Sequence, residues 1–251
     1  MIPLRDNIPS RAKPYVVRVL IALNLFGFIL QQIVDSHLLE FALRPAFLIG
    51  WWEGATLQVP IEVFAPHGAV NQLVEQVTPT FLSGVVPLIT SQFLHADLFH
   101  LGANLLFLWI FADNVEGTLG HKRFLGFYLL CGVFAGLAHT FSTPTSTIPT
   151  VGASGAIAGV LGAYFVRFPH SRILTLIPIF FVPFLVEIPA VVFLGIWFAL
   201  QIVTGLFGDP GQLAVWAHVG GFVAGFVLIR FIPQVRHRGP KPRYVQFERF
   251  P

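Results

Sequence analysis

Residues 152–167 read Gly-Ala-Ser-Gly-Ala-Ile-Ala-Gly-Val-Leu-Gly-Ala-Tyr-Phe-Val-Arg. From Gly155 to Val166 the run is uncharged and apolar, the composition of a helix buried in lipid, yet it opens on Ser154. A hydroxyl at membrane depth is costly and points to function. Further on, residues 217–225 read Ala-His-Val-Gly-Gly-Phe-Val-Ala-Gly, a second apolar run with His218 near its start. A hydroxyl and an imidazole at the heads of two membrane helices are the parts of a nucleophile and its base.

The rest of the chain fits that setting. It is 55% hydrophobic and only 11% charged, against roughly 25% charged residues in a soluble domain. The formal charge of +3 does not indicate nucleic-acid binding, because the basic residues flank hydrophobic runs, where membrane topology explains them. The single cysteine, Cys131, lies inside an apolar run and reads as a small core residue. The first apolar run lacks a small-residue cleavage site and reads as a retained anchor.

A span needs about 20 apolar residues. Six candidates predict an all-α membrane bundle: 15–34, 93–112, 124–141, 154–167, 187–207 and 214–232. Residues 1–14 form a polar segment before the bundle and 233–251 a basic tail after it. The stretch 173–207 is too long for one helix, and Pro178, Pro183 and Pro189 interrupt it. It is read as a short interfacial or re-entrant segment, 173–186, followed by span five. With the amino terminus inside, Arg44 alone of the 15 basic residues falls outside, a strong positive-inside bias. A seventh span would put the basic tail outside.

Spans two, four and six then run in the same direction, from outside to inside. Ser154, His218, and His100 with Asn104 fall at similar depths near the outer face. Residues 154–167, at about 1.5 Å per residue, cover roughly 21 Å of a hydrocarbon core about 30 Å thick. The serine is therefore sunk below the surface, and Ser142 to Ala153 must enter the membrane as irregular chain. Such backbone is tolerated only where protein or water satisfies it, which predicts a wet cavity above Ser154. Gly155 and Gly159 in span four, and Gly221 and Gly225 in span six, have the GxxxG spacing that permits close helix approach. Packing the two glycine faces together would bring Ser154 to His218.

The Gly152-Ala153-Ser154-Gly155 turn, the Ala217 to Gly225 run and the His100-x-x-x-Asn104 pair together resemble the signatures of rhomboid intramembrane serine proteases. The resemblance covers roughly residues 85–230 and includes the segment Asp113 to Phe127, similar to the family's connection between spans two and three. It implies Ser154 as nucleophile and His218 as base, working as a dyad, since no acidic residue is evident to orient the histidine. It further implies an oxyanion hole from His100, Asn104 and the Ser154 backbone N–H. His95 is assigned a structural role, bonding nearby loop backbone. Some rhomboids carry a tyrosine under the histidine ring where this chain has Ala158; support then falls to Phe222 or another aromatic.

Around the site, the long outer loop from Asp35 to Gln92 carries Trp51 and Trp52 as lipid anchors. In the family this loop is partly embedded. The Gly208 to Gln212 segment has the composition of a mobile cap. No cofactor and no metal is implied. His-Glu-x-x-His is absent, and the acids near the spans lie at their edges or in loops, which excludes zinc and aspartyl intramembrane enzymes. The alternatives are an inactive rhomboid-like protein that binds membrane proteins, or a transporter, for which no inverted repeat is visible. The implied partners are transmembrane protein substrates and membrane lipid, with no nucleic acid. The implied location is a prokaryotic plasma membrane, with both termini cytoplasmic and the site open to the outer face.

Overall fold

A computed structural model describes residues 1–64, 70–179, 182–208, 214–235 and 246. In chain order they form β1 (Ile2–Asp6), α1 (Tyr15–Val34), a 3-10 turn (Asp35–Phe41), α2 (Pro45–Glu53), β2 (Leu57–Phe64), β3 (Val70–Val77), α3 (Phe81–Gly84), α4 (Pro87–Thr90), a second 3-10 turn (Ser91–Phe93), α5 (Leu98–Leu119), α6 (His121–Ser142), α7 (Ser154–Arg167), β4 (Arg172–Ile179), β5 (Val182–Pro189), α8 (Ala190–Phe207) and α9 (Val215–Phe231).

The bundle is built around α7. Every residue from Gly155 to Tyr164 is buried, and α9, α6, α5 and α8 all pack against this helix, α9 most extensively. The outer helices are the reverse. Along α1 only Val17, Leu20 and Asn24 are buried, while Phe26, Ile29 and Ile33 face outward. Among the described residues, α1, α5, α6 and α8 are long and apolar enough to cross a membrane; α7 and α9 are apolar but shorter, at 14 and 17 residues.

Glycine lets α7 and α9 approach to backbone contact. A Cβ on Gly221 or Gly225 would run into the carbonyl oxygen of Gly155 or Gly159. The glycines of the two helices stand against each other, Gly221 on Gly155 and Gly225 on Gly159, but not with their open sides face to face. Gly155 and Gly159 present their own open sides to Ala135 and Cys131 of α6, so α7 uses its glycines on one neighbour and its carbonyls on another.

Span two is displaced from its expected 93–112. Asp97 caps the helix start, its carboxylate accepting from His100 N–H at 2.7 Å, and the helix continues to Leu119. Polar Asn114 and Glu116 do not end it because both are buried and bonded. Asn114 Nδ2 donates to Asp6 Oδ2 at 2.9 Å, and the Glu116 carboxylate accepts from Val16 and Val17 N–H at 2.9 Å each. Those are donors that the start of α1 would otherwise leave open. Gly120, at a φ of 78°, then breaks α5 from α6.

Within the expected interfacial or re-entrant segment 173–186, the described residues are two paired β-strands. β4 and β5 pair antiparallel, with Pro178 opposite Pro183, and β1 from the amino-terminal segment adds to β4 on its other side. Prolines that would break a helix sit here near the hairpin end, where few ladder bonds are lost. The N-terminal strand, the α5–α6 turn and this sheet lie together at one end of the bundle. Val235 N–H, donating to the Thr118 carbonyl at 2.9 Å, ties the chain after α9 to the same end.

At the other end, the loop from Asp35 to Gln92 contains α2, the β2–β3 hairpin, α3 and α4. Trp52 is 80% exposed and Trp51 packs edge-on against Phe81. Of the expected cap, Asp209 to Gln212 lie outside the described residues, as do residues 236–245 and 247–251 of the tail.

Candidate active site

Ser154 is the first residue of α7, so its hydroxyl stands at the helix mouth. The turn leading to it depends on Gly152, at a φ of 127°, a backbone conformation that side chains other than glycine disfavour. Gly152 N–H donates to the Ser91 carbonyl at 2.9 Å. The irregular chain before it is also satisfied by protein. Leu43 and Thr150 exchange backbone hydrogen bonds of 3.0 and 2.7 Å, and Ala46 N–H donates to the Ser146 carbonyl at 2.9 Å. The segment between α1 and α5 thus supplies hydrogen-bond partners for this irregular backbone.

Ser154 Oγ lies 2.8 Å from His218 Nε2. His218 is in the first turn or so of α9, and the backbone contact between α7 and α9 carries the two side chains together. A cavity of about 510 Å³ opens above them, lined among others by Asp97, His100, His139, Thr150, Ser154 and His218. His139 Nε2 lies 3.0 Å from Thr150 Oγ1 on its wall.

His100 lines this cavity, whereas Asn104, one turn further along α5, is not among the lining residues and is 5% exposed. One amide hydrogen of Asn104 is donated to the His100 carbonyl, at 2.8 Å. His95 does not bond loop backbone through its ring. Its ring packs edge-on against His100 at 5.2 Å, and neither ring nitrogen has a hydrogen-bond partner among the described residues. Its main chain does the clamping. His95 N–H donates to Gln31 Oε1 at 2.9 Å and its carbonyl accepts from Gln31 Nε2 at 3.2 Å, tying this loop to α1.

Two residues around His218 are absent from the sequence reading. Gln201 Oε1 of α8 lies 2.8 Å from His218 Nδ1. The Trp197 ring, one turn earlier on the same helix, is 6.0 Å from the imidazole and tilted by 41°. The aromatic ring next to the imidazole is therefore Trp197, itself 6.2 Å from Phe222. A signal for Gln201 exists in the sequence: it is the one amide side chain in the apolar run from Ala190 to Phe207. Among the described residues no group of three or more His, Cys, Asp or Glu side chains converges as a metal site would require.

The chemistry of a hydroxyl held against an imidazole in a pocket within an apolar bundle agrees with what the chain is similar to. The Rhomboid domain matches residues 83–234. Rhomboid protein 1, mitochondrial, of Saccharomyces cerevisiae is 28% identical over 155 residues, 58% of this chain and 41% of that protein. Presenilin-associated rhomboid-like protein, mitochondrial, of Mus musculus is 35% identical over 97 residues, 38% of this chain and 26% of that one. Rhomboid protease GluP of Bacillus subtilis is 42% identical over 76 residues, 30% of this chain and 14% of its own length. The chain belongs to the rhomboid family, and its apolar helices make it an integral, multi-pass membrane protein. It spans less than half the length of these relatives. The relatives are mitochondrial and bacterial, and give the expected prokaryotic plasma membrane no support.

Proposed function

We propose that this protein is an intramembrane serine endopeptidase that cuts transmembrane protein substrates through an acyl-enzyme. The observation that carries the reading is the 2.8 Å contact between Ser154 Oγ and His218 Nε2 at the foot of an open cavity. A general base within hydrogen-bond reach of the proton it takes meets the geometric requirement for nucleophile activation.

The Ser154 oxygen attacks a substrate carbonyl carbon while its proton passes to His218 Nε2. The tetrahedral intermediate carries an oxyanion, held by the Ser154 N–H, His100 and the second amide hydrogen of Asn104. Collapse breaks the carbon–nitrogen bond, and His218 returns the proton to the departing amine. Water, activated by the same imidazole, then hydrolyses the ester, releasing the new carboxylate and restoring Ser154. A substrate helix must unwind locally first, because its carbonyls are otherwise engaged in helical hydrogen bonds. Helix-breaking sequence and a small residue before the cut favour cleavage on this account.

Six helices, α1 and α5 to α9, make up the membrane domain, residues 15–232, in this reading. Its inner end carries β1, the α5–α6 turn and the β4–β5 hairpin. The basic residues near that end support a cytoplasmic location for it, with the cavity open to the outer face. The sunken start of α7 agrees with cleavage in the outer part of the substrate's membrane segment. Retention of both serine and histidine speaks against an inactive, membrane-protein-binding relative.

The test is cleavage of a fluorescent transmembrane substrate by purified protein in detergent. Wild type cuts it and Ser154→Ala does not. A folded Ser154→Ala that cleaves at the wild-type rate would refute the reading.

A further inference from the structure

We propose that Gln201 is the positioning residue of the catalytic histidine: its side-chain oxygen holds the Nδ1–H of His218 and so presents an unprotonated Nε2 to Ser154. The proposal rests on the Ser154–His218 mechanism and assigns the part that an acid would play in a triad.

The two ring nitrogens of His218 are engaged in opposite directions, Nε2 by Ser154 Oγ and Nδ1 by Gln201 Oε1, each at 2.8 Å. A neutral imidazole has one donor and one acceptor nitrogen, and which is which is set by the bond the other makes. For Ser154 to give up its proton, Nε2 must be the acceptor. Nδ1 must then carry the hydrogen, and a hydrogen at that depth needs an acceptor. The amide oxygen of Gln201 is that acceptor, and no carboxylate bonds the ring among the described residues.

The carrier helix is shaped for this task. α8 buries only Ala190, Phe193 and Leu194, all within its first turns. Further along, its contact with His218 comes from Trp197 and Gln201. These are four residues apart and therefore on one face. Trp197 meets the ring and Gln201 holds its edge, so rotation and tautomer are fixed from one helix. An amide in so apolar a helix costs free energy unless it is partnered, and His218 is the partner.

A neutral acceptor also suits the site. A carboxylate in this place would accept from Nδ1–H equally well and find its compensating charge in the imidazolium that forms during turnover, whereas an amide orients the resting ring with no charge at all.

The experiment compares wild type, Gln201→Met, Gln201→Glu and Ser154→Ala on one fluorescent transmembrane substrate. Methionine keeps length and loses the acceptor; glutamate keeps both. Gln201→Met should lower kcat by about tenfold or more, since turnover then passes through a less populated tautomer, with KM within about twofold. Gln201→Glu should recover most of the lost kcat. In the wild type, nitrogen-15 spectra of His218 should show the Nδ1–H tautomer, a readout that does not depend on how the variants fold. Wild-type kcat in Gln201→Met, a folded Gln201→Glu as slow as Gln201→Met, or an Nε2–H resting tautomer each overturns the proposal. Cleavage surviving in Ser154→Ala would instead remove the serine mechanism beneath it.

Discussion

Gly152 lies directly beneath the ring of His100: a Cβ at that position would stand 2.7 Å from His100 Cε1 and 2.8 Å from Nε2. The glycine before the serine therefore does two things. It supplies a φ of 127° for the turn into α7, and it leaves room for the imidazole that faces the cavity. Gly152→Ala should destabilise the protein by about 1–3 kcal/mol through backbone strain and push His100 away from the oxyanion position. Turnover in the folded fraction should fall by at least about tenfold, as expected when a charge-stabilising donor is displaced. Thermal unfolding together with steady-state cleavage separates the two effects. Wild-type kcat in Gly152→Ala would remove this constraint.

The approach of α9 to α7 makes a second prediction. Gly221→Val and Gly225→Val place side chains against the carbonyls of Gly155 and Gly159. The helices must separate, carrying His218 away from Ser154. Overpacking of this kind costs typically about 1–3 kcal/mol, and activity should be lost before the fold is. Gly195→Ala in α8 is the control, since nothing lies within 4 Å of its added Cβ, and it should leave activity unchanged. Equal behaviour of all three variants would contradict the packing account.

These contacts mark what the sequence does and does not disclose. α1 and α7 begin and end where the reading puts them, because each is an unbroken apolar run with clear edges: Pro14 before α1, Ser154 and Arg167 at the limits of α7. Ser154, His100 and His218 line one cavity, and the parallel direction of their spans is the feature of the sequence that points to their meeting. Which neighbour a glycine faces is not, since Gly155 and Gly159 turn to α6 while Gly221 and Gly225 turn to α7. The pairing of β1 with β4 is equally hidden. It joins Ile2 to Leu176 by tertiary proximity alone. Prolines within 173–186 exclude a continuous helix without specifying a hairpin. Gln201 goes unnoticed because its partner lies across a connection on the next helix, beyond any local periodicity.

Asn104 tests the oxyanion assignment. One of its amide hydrogens is committed to the His100 carbonyl at 2.8 Å, leaving one for the intermediate. Asn104→Ala should lower kcat by about 10²-fold, while Ser154 stays reactive toward a small phosphonate. An unchanged cleavage rate would take Asn104 out of the oxyanion hole and leave it as a clamp within α5.

The end of the bundle that carries β1 should respond to pH. Burial raises the Asp6 carboxyl from 3.8 to about 6, against the lowering effect of hydrogen bonds that include those from Tyr164 and Asn114. Tyr164 OH donates to Asp6 Oδ2 at 2.5 Å, tying β1 to the far end of α7. A carboxyl whose pKa is raised on folding contributes stability that is complete below its unfolded value and lost as pH rises through its folded value. The contribution from Asp6 should therefore fade between about pH 4 and 6. Asp6→Asn should flatten that part of the Tm–pH curve. A curve identical to wild type would show that Asp6 does not titrate in this window.

The central claim is that Ser154 is a nucleophile activated by His218, and the most direct measurement is covalent labelling. Purified wild-type protein treated with a serine-directed fluorophosphonate, digested and mapped by mass spectrometry, should carry one phosphonyl group on Ser154. His218→Ala should abolish that adduct while remaining folded. An adduct forming at the wild-type rate without His218, or no adduct on Ser154 in protein that cleaves substrate, would contradict the account.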